Sequence, residues 1–331
     1  MKDVAARARV SLGTVSNVLS GANAVSAELR ARVEKAIDEL GYLPNEFGRS
    51  LKTQRSRMLG MVVSDIANPF FAEMVRGAED AAVEKGYVLV TFNTNDRPGR
   101  EEMVFDLLRS RRFDGLLAVV ALQKRKHPHL EAARQDGLPV VFLDRVPPDF
   151  PADAVVVDNE DGVRQSIEYL IASGHKRIGY LGGRQTLYIA KERLQGYRQA
   201  MKKADLPEII REGDFREEAG YEQALELLQS PEPPTALFTA NMRIAIGALR
   251  AIGELGLAVP QQIALATFDY VEWLDAFHPK LTCVVQPAYE MGKKATALLL
   301  DRIEGKGTEE PVTLRLPVTL RVAESTNGRE H

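Results

Sequence analysis

The first forty residues place apolar side chains at helical spacing in short runs separated by turn residues. Val4, Ala5 and Ala8 share one face of a first helix, and Val15, Val18 and Leu19 share one face of a second. Between them Arg9-Val10-Ser11 reads as a tight turn, with Ser11 placed to cap the second helix. A third amphipathic helix is expected over 27–40, with Leu29, Val33, Ile37 and Leu40 facing inward, Ser26 as its cap and Gly41 as its stop. Pro44-Asn45 breaks the pattern, and 46–53 returns to a short helical one. From Met58 the period changes. Strand-like runs at 59–63, 87–92, 116–120 and 140–143 alternate with helical stretches at 71–85, 100–111 and 128–136. A second series is expected to begin at Val155-Val156-Val157, with helix 160–173, strand 178–181 and further strands at 236–238 and 263–268. Helix 289–304 and strands within 312–322 complete the lobes. This alternation predicts parallel sheets covered by helices on both faces. The fold class is therefore α/β: a small all-α helix-turn-helix head and a two-lobed, doubly wound parallel-sheet core. The head spans 1–43, a short helix and linker 44–57, and the core 58–328, with a ligand cleft expected at the strand carboxyl ends.

Gly13, Thr14, Ser16 and Asn17 stay off the apolar face of the second helix. Hydroxyls and amides at a helix start suit phosphate contacts, and an asparagine can read adenine in the major groove. The same pattern also fits an ordinary helical hairpin with solvated polar residues. Charge adds to the picture. The net charge is -3 over 331 residues, yet residues 1–57 carry +4 and the remainder -7. A basic head on an acidic body fits a DNA reader joined to a sensor of something else. Arg49, Lys52, Arg55 and Arg57 concentrate that charge near the end of the head. A single cysteine, Cys283, argues against a disulfide framework and fits a reducing cytoplasm. No run approaches the ~18 apolar residues of a membrane span, and no signal-peptide pattern opens the chain.

The ordered motifs are more specific. Lys2-Asp3-Val4-Ala5, Val10-Ser11-x-x-Thr14-Val15-Ser16, Val25-Ser26, Arg32-Val33, Ala36-Ile37, Leu40-Gly41-Tyr42-x-Pro44-Asn45 and Arg49-Ser50-Leu51 resemble the head of the lac-repressor-type (LacI/GalR) family. The match continues through Asn68-Pro69-Phe70-Phe71, Phe113-Asp114-Gly115, Asp158-Asn159, Gly174-His175, Arg193-Leu194-x-Gly196-Tyr197, Gly213-Asp214-Phe215, Phe268-Asp269 and Gln286-Pro287. The chain is identified as a member on the whole ordered set. The resemblance implies a periplasmic-binding-protein-like core and a cytoplasmic transcriptional regulator, a repressor by preference. Such a regulator binds a pseudo-palindromic operator in double-stranded DNA as a homodimer. It needs no cofactor and makes no membrane contact. The implied DNA contacts are Ser11, Leu12, Gly13, Thr14, Ser16, Asn17, Tyr42, Asn45, Arg49, Leu51 and Lys52. Residues 46–53 become the hinge helix, with Leu51 the apolar wedge in the minor groove and Lys52 beside it.

By the same resemblance the cleft takes a small-molecule effector, a sugar or sugar derivative. The matching positions are Asn68, Phe70, Phe71, Asp144, Arg193, Phe215, Asn241, Asp269 and Gln286. Planar hydrogen-bonding groups, aromatic faces and one guanidinium suit such a ligand. Phe70 and Phe71 fit lobe core equally well, and Arg193 fits an ion pair with Asp269. Arg184, Lys191 and Arg243 leave an anionic effector open. Several positions depart from the family. Asn17 stands where arginine is common, which turns readout from guanine toward adenine or phosphate. Gly48 replaces an alanine and weakens the hinge helix by about 1 kcal/mol. Met242 and Tyr270 replace polar cleft residues. The start at Met1-Lys2 leaves little room for a cap, so either the first helix frays or the natural start lies upstream.

Enzymatic signals are weak. There is no GxxxxGK[ST] loop, no GxSxG elbow and no nucleotide-type GxGxxG after the first strand, so no catalytic residue is assigned. His127-Pro128-His129 lacks cysteines or carboxylates at metal spacing and is expected to be a solvated loop, with no metal site. Glu101-Glu102 and Glu309-Glu310 diverge as neighbours and read as solvated faces. The alternative function is a solute-binding protein of the same two-lobed fold without a DNA role, which the basic head argues against.

Overall fold

A computed structural model describes residues 1–19, 25–42, 55–110, 113–121, 127–147, 150–276 and 278–327. The chain divides into two compact units, Met1–Ser56 and Arg57–His331.

In the first unit, helices Lys2–Ala8, Leu12–Leu19 and Ala27–Leu40 enclose Val4, Ala5, Ala8, Val15, Val18, Val33 and Ala36. Arg9 makes the turn in the left-handed conformation (φ 54°), and the Arg32 guanidinium donates to the Ala8 carbonyl at 2.6 Å. Ser11 Oγ accepts the Thr14 amide at 3.1 Å, and Ser26 Oγ accepts that of Leu29 at 3.4 Å. Gly41, at φ 56°, ends the third helix. The inward face of that helix differs from the expectation at its last turn. Ala36 is buried while Leu40 is 46% exposed. Leu40 keeps the 3–4 spacing of Leu29, Val33 and Ile37 but is the last residue before the Gly41 stop, whereas Ala36 joins the buried core of the head.

The second unit holds two six-stranded sheets. The first lobe uses β1 (Met58–Val63), β2 (Val88–Asn93), β3 (Gly115–Ala118), β4 (Val140–Leu143), β5 (Asp153–Val157) and β11 (Thr313–Leu316). Their order is β11-β5-β4-β3-β1-β2, parallel throughout. The second lobe uses β6 (Ile178–Gly183), β7 (Ile209–Gly213), β8 (Ala236–Thr239), β9 (Ala264–Phe268), β10 (Thr282–Val285) and β12 (Thr319–Arg321). Its order is β12-β10-β9-β8-β6-β7, with only β12 antiparallel. The valine run at 153–157 therefore belongs to the first sheet and does not open the second series. A fully buried apolar strand reads identically wherever it pairs, and β4 and β11, on either side of it, decide the matter.

The chain crosses between lobes after β5, after β10 and between β11 and β12, so three short connections form the hinge. Helices within each lobe pack through glycines. A Cβ on Gly292 would lie 1.9 Å from the Met74 carbonyl oxygen, and one on Gly196 2.1 Å from that of Glu160. Among the described residues no helix is long and apolar enough to cross a membrane.

Candidate functional site

Both sheets present their strand carboxyl ends to the space between the lobes. Ser64 and Asp65 follow β1, Asn95 and Asp96 follow β2, and Asp144 and Arg145 follow β4. From the second lobe Phe215 follows β7, Asn241 follows β8, Asp269 follows β9 and Gln286 follows β10. Together with Asn68, Phe70, Phe71 and Arg193 these residues line a cavity of about 420 Å³. All nine positions expected from the sequence to hold an effector lie on its wall.

The backbone is turned into the cavity by unusual dihedrals. Asn95, Asp96, Asp144 and Asp269 have φ of 52°, 53°, 62° and 80°. Asparagine and aspartate tolerate this left-handed region better than other side chains, and such residues concentrate at functional sites. Asn68 and Asn241 each cap a helix, accepting the Phe70 amide at 3.1 Å and the Ile244 amide at 2.9 Å. Capping uses the carbonyl oxygen and leaves the side-chain N–H₂ to donate.

Arg193 is 2% exposed. Its Nε donates to Asn159 Oδ1 at 2.8 Å and its Nη1 to the Ala240 carbonyl at 2.6 Å, while the guanidinium lies 3.8 Å over the Phe268 ring. The expected alternative pairing with Asp269 is therefore not the arrangement found. Asp269 instead accepts Gln286 Nε2 at 2.5 Å. Phe70 and Phe71 are buried in the lobe core and also wall the cavity, packed edge-to-face at 5.0 Å. The two readings of these residues are not exclusive.

Sequence reasoning missed Arg145. It is buried, donates to Asp96 at 2.6 Å and lies 3.6 Å from the Asp144 carboxylate. Burial works against its charge, but Asp96 and Asp144 more than restore it. Burial pushes the Asp144 carboxyl above the ordinary aspartate range, with Arg145 and Arg193 opposing only in part. Ser64 Oγ, Arg145 Nε and Gln286 Oε1 are buried on this wall without a hydrogen-bond partner among the described residues. Orphaned buried polar atoms are rare, and their concentration here marks a place built for a polar ligand. The signal for Arg145 was its position two residues past the end of β4. Asp96 gave none, because its partner is 49 residues away.

The charges nearly cancel. Arg97, Arg145, Arg193, Arg216 and Arg243 face Asp65, Asp96, Asp144, Asp269, Glu217 and Glu218. Arg243 bridges the lobes to Asp65 at 3.1 Å, and Arg184 pairs with Asp214 at 2.6 Å. Two of the three cations that left an anionic ligand open, Arg184 and Arg243, are thus engaged. A larger and more apolar cavity of about 520 Å³ adjoins this one, sharing Phe70, Asp269 and Gln286 and walled by Tyr270, Trp273 and Tyr289. The polar cavity is the better candidate because the unpartnered polar atoms line it. Two expectations outside the cleft are corrected. Glu101 is 1% exposed rather than solvated, and His129 is buried against it rather than in a solvated loop.

On the head, Ser11, Leu12, Gly13 and Asn17 are exposed, with Thr14 and Ser16 half-buried on the same helix. The Ser11 and Thr14 hydroxyls are 2.9 Å apart. Tyr42 is half-buried against the head's own core. Asn45, Arg49, Leu51 and Lys52 lie outside the described residues.

Comparison with known proteins covers nearly the whole chain. Residues 1–45 match the model of bacterial regulatory proteins of the lacI family, and 167–326 match a periplasmic binding protein-like domain. The HTH-type transcriptional repressor CytR of Escherichia coli (strain K12) is 37% identical over 310 residues, covering 92% of this chain and 90% of its own. The lac repressor dimer bound to operator and the anti-inducer ONPF aligns with a TM-score of 0.86 at 29% identity over 98% of both chains. The complex of the transcriptional regulator CelR with cellobiose aligns with a TM-score of 0.75 at 34% identity, also over 98% of both.

Proposed function

We propose, from the premise that this chain belongs to the LacI family of bacterial regulatory proteins, that it is a DNA-binding transcriptional repressor governed by a neutral, polyhydroxylated effector in the interlobe cleft. It works in the cytoplasm as a homodimer on a pseudo-palindromic operator. The observation that carries the effector class is the cleft's balance of charge combined with its buried acceptors. Asp144 and Asp269 can each take a pair of hydroxyl donors, Asn68 and Asn241 can donate, and Phe70 and Phe215 supply faces for a ring. An anionic ligand would meet six carboxylates against five guanidiniums. The cellobiose held by CelR supports a sugar or sugar derivative.

On the DNA side, Leu12 and Gly13 offer only a methyl-directed contact and backbone, so base readout from this helix is modest. More of the specificity comes from deformation of the operator centre, with Leu51 as wedge and Arg49 and Lys52 on the backbone. The effector acts by its differential affinity for core states that bring the two hinges together or splay them. The basic head disfavours a solute-binding protein without a DNA role.

Two measurements test this reading. Selection of the purified protein against a random duplex library should enrich a palindrome with a constant central step. The affinity should fall steeply with salt and be lost when residues 1–57 are removed. Binding that survives the truncation overturns the assignment. For the effector, neutral sugars and nucleosides should change the fluorescence of Trp273, the single tryptophan. A response confined to phosphorylated or carboxylated compounds refutes the neutral class.

A further inference from the structure

We infer that His127 and His129, oriented by Glu101, form a binding site for a divalent transition-metal ion of the zinc class, separate from the effector cleft. The three side chains come from two elements, helix 98–110 and the start of helix 128–135. One imidazole nitrogen from each histidine and a carboxylate oxygen of Glu101 lie within 4.8 Å of one another.

Glu101 is held first. Its Oε2 accepts the Ala121 amide at 2.6 Å, which fixes the carboxylate at the end of β3. Its Oε1 lies 2.9 Å from His129 Nε2, so the carboxylate sets the tautomer with the proton on Nε2. The His129 ring is then steadied edge-on by Phe105 at 4.9 Å. That leaves Nδ1, which is buried and has no hydrogen-bond partner among the described residues. A purely structural Glu–His pair gives this lone pair nothing to do. In a carboxylate–histidine–metal arrangement it is the ligating atom, and the carboxylate is the orienting group. The His127 ring stands nearly perpendicular to that of His129, with centroids 5.8 Å apart, and supplies a second imidazole.

Two neutral nitrogens suit zinc, cobalt or nickel. Calcium and magnesium call for oxygen ligands, which the site lacks in number. The positive end of helix 128–135 acts against a cation, which places the expected affinity in the micromolar range rather than the nanomolar. The backbone joins this site to the cleft. Arg145 Nη1 lies 3.5 Å from the Val120 carbonyl, one residue before the amide that holds Glu101.

The test uses the full-length, metal-free protein, titrated with Zn²⁺ by calorimetry and with Co²⁺ followed by its visible d–d absorption. One ion per chain should bind, with Mg²⁺ unable to compete. His127→Gln and His129→Gln should each weaken binding at least tenfold. Glu101→Gln should weaken it about 10–100-fold, as loss of an orienting carboxylate does. His127 is half-buried and caps no core, so its variant decides the question if the two buried ones fail to fold. Absence of binding by the wild-type protein overturns the site. So does a His127→Gln protein that binds as tightly as wild type, which would place the ion on His175, His278, His331 or surface carboxylates.

Discussion

Arg193→Ala is the most informative perturbation of the cleft, because it separates a framework role from a purely ligand-binding one. The side chain makes two charge-assisted hydrogen bonds, to Asn159 at 2.8 Å and to the Ala240 carbonyl at 2.6 Å. Each is worth about 1.5–3 kcal/mol when its acceptor is buried. The contact with Phe268 at 3.8 Å adds up to about 2 kcal/mol. Relaxation and water entering from the cleft recover part of that sum, so the expected net loss is about 3–5 kcal/mol. For a unit of this size it lowers Tm by roughly 6–15 °C. Thermal unfolding followed by Trp273 fluorescence reads the change. Nη2, which has no protein acceptor among the described residues, is left for the effector, so response to the effector should also be lost. Arg193→Lys keeps the charge but reaches one acceptor only, and should fall between. A Tm within about 2 °C of wild type for Arg193→Ala would refute the reasoning. It would mean that the guanidinium is not tied to Asn159 and Ala240 in solution and serves the ligand alone.

Three further outcomes follow from the same geometry. Burial raises the folded-state pKa of Asp144, so its contribution favours folding below the ordinary aspartate value of about 3.9 and is lost as pH rises through the raised one. Asp144→Asn should therefore stabilise the protein at pH 7, with the gain vanishing on acidification. An equal gain at pH 3 and pH 7 would contradict this. Gly292→Ala drives a Cβ to 1.9 Å from the Met74 carbonyl oxygen and should cost at least about 2 kcal/mol, measured by denaturant unfolding. Gly183→Ala places a Cβ 2.1 Å from the Phe215 ring and should displace it from the cleft. Effector affinity should fall about tenfold, or ~1.4 kcal/mol, with operator affinity in its absence unchanged. Parallel losses in both would show that Phe215 serves stability instead.

The sequence determined the elements. Apolar periods of 3.6 and 2, Ser11 and Ser26 at helix starts, and Gly41 at a helix stop are local signals, and the local backbone obeys them. Family-matching positions likewise located the cleft wall, since side chains just past strand carboxyl ends converge in an open α/β sheet. Partner choice was decided only in three dimensions. The 153–157 run could not announce which sheet it joins, because a strand buried on both faces has the same pattern in either. Arg193 chose Asn159 and Ala240 over Asp269, and Arg145 found Asp96, through packing across 34 to 49 residues of chain. Glu101 looked solvated beside Glu102, yet one lies in the core and the other toward its edge, because adjacent helix positions point about 100° apart. Spacing along the chain fixes which way a side chain faces. What it meets there depends on elements far away in sequence, and that meeting sets the charge, the satisfaction and the chemistry of each site.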